Sequence, residues 1–168
     1  LANFFRIGIS RGKEVIKVSE ELAHVRNYLV IQKVRYEDKL DYEINFEEEV
    51  LNYGVVKLIL QPLVENAIYH GIKLKREKGK LIICARKDGD KLRFSVYDNG
   101  AGIPAEKVDE ITDILEGRKT VNRDIGYGIF NVNARIRLAY GPEYGLKLSS
   151  VYGQETTVEI LHPLIERW

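Results

Sequence analysis

Residues 80–100 read KLIICARKDGDKLRFSVYDNG. Apolar and polar residues alternate on both sides of Asp88-Gly89-Asp90, which predicts a hairpin of two half-buried strands. The next residues extend the quotation to YDNGAGI, residues 97–103. The second strand therefore ends on an acid, and side chains then vanish at Gly100 and Gly102. A turn with aspartate in its first position accounts for this as readily as a ligand site does.

Outward from the hairpin the chain alternates between strand and helix signals. LDYEINF, residues 40–46, alternates as a strand. In VVKLILQPLVENAIYHGI, residues 55–72, Val56, Leu60, Leu63, Val64, Ala67 and Ile68 form one stripe at helical spacing. Pro62 is expected to kink that helix and Gly71 to end it. PAEKVDEITDILEG reads as a short helix opened by Pro104 and closed by Gly117. IFNVNARIRLAYG is helical on Ile129, Val132, Ile136 and Leu138, and YGLKLSSV with TTVEILH makes a last strand pair. Ahead of all this, Ser19 is expected to cap a helix of about five turns whose stripe is Leu22, Val25, Leu29, Gln32 and Tyr36. LANFFRIGI, residues 1–9, reads as the end of an earlier helix, and RGKEVIKV as the connector of a helical hairpin. The order predicts an α+β fold: a two-layer α/β sandwich with helices on one face of a mostly antiparallel, mixed sheet. A partial helical hairpin precedes it. We place the boundary between residues 1–39, a separate helical appendage, and residues 40–168.

Composition narrows the function. A net charge of +1 argues against a nucleic-acid partner bound through phosphate neutralisation. No apolar run is long enough to span a membrane. The single cysteine, Cys84, fits a reducing compartment. His24, His70 and His162 are too scattered to suggest a zinc site, and each reads first as structural. The absence of methionine, with Leu1 first, suggests a piece of a longer protein.

Three polar patches stand apart from core filler. Asn66 lies at the edge of its helical stripe, with His70 one turn on; alone, it reads as a helix-flanking amide. Asp98 can accept a hydrogen bond from an exocyclic amine, while Gly100 and Gly102 let a backbone approach a flat ligand. Gly126-Tyr127-Gly128 opens a helix, where free amides suit an anionic oxygen. Together the three can surround one nucleotide: Asp98 on the base, Asn66 on a cation bridging the phosphates, and the amides after Gly126 on phosphate oxygens. The polar stretch between Ile103 and Gly126 would fold over it as a lid.

LQPLVENAIYHG, YDNGAGI and GYGIFNVNARI resemble the N box and the two glycine boxes of sensor histidine kinases, within the ATP-binding superfamily that includes gyrase, the Hsp90 chaperones and MutL. With VSEELAHVRNYLVIQKVRYEDKLDYEI, the resemblance extends over nearly the whole chain to the LytS/YesM-type bacterial sensor kinases. It implies the Bergerat-type ATP-binding fold, with ATP and Mg²⁺ as ligands. It implies Asp98 at the adenine amine, and Gly100, Gly102 and Ile103 about the base. Asn66 would coordinate Mg²⁺; Tyr69 and His70 either border the phosphates or simply finish the helix. Gly126, Tyr127, Gly128 and Ile129 would open the phosphate-binding helix, and Asn131 matches the asparagine of the second glycine box. Thr156 would reach the base through water, although Glu155 stands where the family has glycine. Residues 1–39 would be the end of the dimerisation and histidine-phosphotransfer region. Nothing here resembles the phosphoacceptor motif, so the acceptor histidine is expected upstream, on a helix of the same homodimeric parent. The resemblance further implies a response regulator that is a transcription factor, and a cytoplasmic position in a bacterial cell-membrane protein. ATP-hydrolysing members carry a glutamate base four residues before the metal asparagine; here that residue is Pro62. Glu65 lies ~100° around the helix from Asn66. Transfer to an imidazole is therefore expected over hydrolysis, and the alternatives are a superfamily ATPase or a non-catalytic nucleotide-sensing module. Lys119 and Arg123, in the lid, read first as solvated cations, as does the basic run from Lys73 to Lys80.

Overall fold

The computed structural model describes residues 15–121 and 128–168. The chain enters through β1 (Val15–Lys17) and α1 (Val18–Tyr36), followed by β2 (Leu40–Phe46), β3 (Gly54–Val56) and the short helix α2 (Gln61–Asn66). A π turn, Ala67–Gly71, and a 3-10 turn, Ile72–Leu74, continue α2. The rest is β4 (Gly79–Asp88), β5 (Lys91–Asp98), α3 (Ala105–Leu115), α4 (Gly128–Tyr140), β6 (Gly145–Val151) and β7 (Glu155–Pro163).

The main sheet has five strands in the order β2-β4-β5-β7-β6. β2 runs parallel to β4, and the other pairings are antiparallel. The predicted hairpin is present with Asp88 opposite Lys91, so Gly89 and Asp90 make the turn, and Gly89 has φ +62°. Strand parity then decides what faces the helices. In β5, Leu92, Phe94, Val96 and Asp98 are buried in alternation; in β7, so are Thr156, Val158, Ile160 and His162. Phe94, Leu92, Leu81, Ile83 and Ile160 are fully enclosed. Each such side chain contributes about 1.5–3 kcal/mol. Two rows of core residues thus end in polar groups, Asp98 beside Thr156 and His162 opposite Leu92.

Several expectations need correction. Residues 15–17 of the supposed connector form β1, antiparallel to β3 with Val15 opposite Val56. The helix begins at Val18, before Ser19, and Glu20 accepts the N–H of Lys17 at 2.9 Å in place of a serine cap. Residues 55–72 are not one helix. Val56 closes β3, Leu58 turns the chain with φ +57°, and helix begins only at Gln61. Pro62 therefore sits in the first turn, where no intrahelical donor is needed, and kinks nothing. Leu138 is exposed, and Asn133 takes a buried place on the inner face of α4.

The expected first arm of the helical hairpin, residues 1–9, lies outside the described residues. Val18, Val25 and Leu29 of α1 are fully buried in the same cluster as Leu60, Ile68 and Phe94.

Candidate functional site

One cavity of about 270 Å³ opens between the α2 segment and the inner face of the sheet. Leu63, Asn66, Ala67 and His70 line one wall, at the spacing of a single helix face. Val96, Asp98, Thr156 and Val158 line the opposite wall. Gly102, Ile103, Lys107, Ile111 and Ile129 close its sides. The structure thus brings together Asn66, His70, Asp98, Gly102, Ile103, Ile129 and Thr156 from distant parts of the chain.

Asp98 is the chemical centre of the cavity. It is only 3 % exposed, because strand parity places it in the row of Phe94 and Val96. One oxygen, Oδ1, accepts the N–H of Gly100 at 2.9 Å. Burial pushes its pKa up to about 6, against weaker downward pulls from the Gly100 N–H and from Lys75. At neutral pH the group is mostly ionised and acts as an acceptor.

The glycines after Asp98 serve the fold as well as the cavity. A Cβ at Gly100 would lie 2.4 Å from the Gly71 backbone. A Cβ at Gly71 would lie 2.2 Å from Asp98 Oδ1. The two glycines let the loop, the π turn and the carboxylate interlock, and Ala101 donates its N–H to the Gly71 carbonyl at 3.2 Å. Gly100 is therefore behind the carboxylate and is not among the cavity's lining residues, contrary to the expectation for it. Gly102 has φ +64° and does line the cavity, and any Cβ there would strike the Val151 carbonyl at 2.1 Å. Asn99 is structural: it exchanges two bonds with Lys80, prolonging the β4–β5 ladder.

Ser150 has a role that sequence reading missed. Its hydroxyl accepts the N–H of Ile103 at 2.8 Å, donates to the Glu155 carbonyl at 2.6 Å, and lies 2.8 Å from Thr156 Oγ1. Ser150 has one proton to give, and Glu155 takes it. The third bond must then run from Thr156 to Ser150. Thr156 is left with only lone pairs, so Asp98 and Thr156, which are register partners, both offer acceptors.

Other expected positions fall less centrally. Gly128 opens α4 and Asn131 lies exposed on it; neither lines the cavity. Gly126, Tyr127 and Arg123 lie outside the described residues. Lys119 is paired with Asp113 at 2.9 Å. Lys107, unmarked by any motif, is a cation on the cavity wall, paired with Glu110 at 2.8 Å. Glu65 accepts from Gln61 at 3.0 Å and helps burial push the Tyr28 hydroxyl up to about 12, so it belongs to the α1 side of the helix. His162 is buried and receives the Val56 N–H on Nε2 at 3.3 Å, consistent with its structural reading. Among the described residues no cluster of histidine, cysteine, aspartate or glutamate is arranged to hold a metal by itself. A broader, open depression of about 480 Å³, at Ile44, Phe46, Cys84 and Arg86, gathers none of the expected site residues. Among the described residues no helix is long and apolar enough to cross a membrane.

Comparison with known proteins places the fold in a family. Residues 54–166 match the profile of the histidine kinase-, DNA gyrase B- and HSP90-like ATPases, and residues 1–40 match that of histidine kinases. The chain is 31 % identical to the sensor histidine kinase YesM of Bacillus subtilis over 97 % of its own length and 26 % of the relative's. It is 34 % identical to YpdA of Escherichia coli over 84 % of its length and 24 % of the relative's. It is also 34 % identical to LytS of Staphylococcus saprophyticus over 89 % of its length and 25 % of the relative's. The chain thus spans about a quarter of each of these relatives. Among solved structures, the catalytic domain of histidine kinase ThkA superposes with a TM-score of 0.62 at 19 % identity, covering 90 % of this chain and 95 % of that one. The same kinase in complex with the response regulator TrrA gives a TM-score of 0.62 at 20 % identity, covering 90 % of this chain and 42 % of that one.

Proposed function

Because the chain belongs to the family of histidine kinase-, DNA gyrase B- and HSP90-like ATPases, we propose that its cavity takes the adenine of ATP. On this reading the chain is the catalytic part of a sensor histidine kinase. The observation that carries it is the buried acceptor pair on the sheet wall. Asp98 and Thr156 present lone pairs and no proton, so they select a ring edge that bears N–H donors, as adenine's exocyclic amine does. The apolar walls, Leu63, Val96, Ile111 and Val158, suit a flat heterocycle. A volume of about 270 Å³ holds a base and leaves the phosphates at the mouth.

Asn66 and His70 stand on the helix wall, and Lys107 is the one lysine among the cavity's lining residues. With no carboxylate cluster beside it, Asn66 would supply a single oxygen to Mg²⁺, the remaining positions going to phosphates and water. When bound, that ion supplies neutralisation of phosphate charge. Gly126, Tyr127 and Gly128 would place the first amides of α4 against phosphate oxygens, with Ile129 packing beneath and Asn131 on the same helix. The chain's own contribution is positioning and electrostatics, which is the larger part of phosphoryl-transfer catalysis. Pro62 occupies the place of a water-activating glutamate, so the γ-phosphoryl would pass to a histidine upstream in the parent protein. From there it would pass to a response regulator, a transcription factor, as a regulator is bound by ThkA. Residues 1–39 would belong to the dimerisation and phosphotransfer region of a homodimeric, membrane-anchored, cytoplasm-facing bacterial sensor.

The test is to mix the 168-residue chain with Mg-ATP labelled at the γ-phosphate and a separate helical segment carrying the acceptor histidine of a LytS/YesM-type relative. Acid-labile label on that segment is expected. Label released only as inorganic phosphate would instead make the chain a superfamily ATPase. Binding with neither outcome would leave a nucleotide-sensing module.

A further inference from the structure

The cavity has two walls of different origin, and the turn that opens one of them is tied to α1 by a buried carboxylate. Glu21 is fully buried. Its Oε1 accepts the N–H groups of Ile59 at 2.7 Å and Leu60 at 2.9 Å, and its Oε2 accepts that of Leu58 at 2.8 Å. Such convergence of successive amides is unusual. Leu58 achieves it with φ +57°, a conformation that a branched side chain rarely adopts. The resulting nest of donors is filled by an anion from the same chain.

Leu60 is held from both sides. Its N–H is on Glu21, and its carbonyl accepts the N–H groups of Leu63 and Val64, each at 3.0 Å. That carbonyl starts α2, and α2 carries Asn66 and, through the π turn, His70 and Gly71. From α4, Arg135 donates to the Lys57 carbonyl at 2.7 Å and fixes the same turn. The opposite wall, with Asp98 and Thr156, belongs to the sheet and makes no use of Glu21.

We infer that Glu21 is a positioning residue of the nucleotide site: it seats the turn at Leu58–Leu60 and so sets where Asn66 and His70 stand relative to Asp98. A displacement of α1 is thereby passed first to the helix wall of the cavity, through the Leu58–Leu60 turn. β1 and α1 open the described chain, so a change arriving from the N-terminal side reaches the Leu58–Leu60 turn both through the β1–β3 pairing and through this carboxylate, and it is the carboxylate that holds the start of α2. The catalytic significance of that coupling rests on the reading of Asn66 given above; the coupling itself does not.

The test uses the 168-residue chain labelled with ¹⁵N, with Glu21→Gln, which keeps the shape and loses the charge and one acceptor. Shifts are expected at the amides of Leu58, Ile59 and Leu60, and beyond them at the Asn66 side-chain amide and the His70 backbone, with Phe94 and Val96 unmoved. Shifts confined to Leu58–Leu60 would overturn the inference, as would equal shifts throughout the sheet, which report general loosening. If Glu21→Gln does not fold, Glu21→Asp is read in the same way, since it keeps the charge but falls a methylene short. ATP affinity then separates the two claims. Loss of one charge-assisted contact is expected to weaken binding in Mg²⁺ by about tenfold, and binding in EDTA by less than twofold. Wild-type affinity indifferent to Mg²⁺ would end the metal reading of Asn66 while the spectra still decide the role of Glu21.

Discussion

Replacing Asp98 by asparagine should stabilise the unliganded chain at neutral pH while abolishing its adenine selectivity. The carboxylate is nearly inaccessible and its pKa is raised from 3.8 to about 6, chiefly by burial. The folded state therefore holds a proton that the unfolded state releases at lower pH. Stability from this group is fully present below the unfolded value of 3.8 and is lost as pH rises through about 6. Each pKa unit is about 1.4 kcal/mol, so the full penalty at pH 7.5 is on the order of 3 kcal/mol. Asparagine keeps an oxygen for the Gly100 N–H, placed 2.9 Å away, and carries no charge to desolvate. Allowing for partial relaxation, we expect a gain of about 2 kcal/mol, or roughly 4–8 °C in Tm for a chain of this size. The assay is thermal unfolding of both proteins, without nucleotide, at pH 4 and pH 7.5. The variant should lead at pH 7.5 and match the wild type at pH 4. A gap that is the same at both pH values, or a variant less stable at pH 7.5, would refute the claim that burial of charge governs this site.

Three further outcomes follow from the same contacts. Gly71→Ala should displace the Asp98 carboxylate, whose Oδ1 would be 2.2 Å from the new methyl; we expect ATP affinity to fall at least about tenfold with the sheet intact by circular dichroism. His162 is held neutral, its pKa lowered by burial from 6.5 to about 4. The unfolded chain therefore binds a proton first, and stability from this group falls as pH drops from 6.5 toward 4. Over pH 4 to 6 it opposes the Asp98 effect, so urea unfolding of the Asp98→Asn variant should show a steeper acid loss than the wild type. Asn133→Ala should cost about 2–4 kcal/mol in chemical unfolding. It removes the buried amide that donates to the Leu115 carbonyl at 2.8 Å and accepts the Leu146 N–H at 2.8 Å.

The parts of the fold that were legible in sequence are those fixed by local pattern. The β4–β5 hairpin is written in alternation and in the glycine of its turn, and α3 in its proline and glycine ends. That Asn66 and Asp98 would meet about one cavity was legible because each sits in a recognisable box, and Thr156 joins them there although Glu155 precedes it where the family has glycine. What escaped was set by partners far along the chain. β1 and β3 are three residues each and exist because Val15 meets Val56; neither carries a strand signal of its own. The helical stripe from Val56 to Leu60 was misleading, since the nest around Glu21 takes those residues out of helix. Gly71 read as a helix terminator, but its missing side chain makes room for a carboxylate on β5. Ser150 had no motif, and only the juxtaposition of β6, β7 and the loop at Ile103 gives it a role.

The most direct test of the adenine site is calorimetric titration of the chain with Mg-ATP and with Mg-ITP at pH 7.5. The two share ribose and triphosphate, but inosine carries an oxygen where adenine carries the amine. Acceptors at Asp98 and Thr156 predict that ATP binds and that ITP binds at least about tenfold more weakly, a loss typical of an unpaired buried polar group. Equal affinity for the two nucleotides would contradict the account.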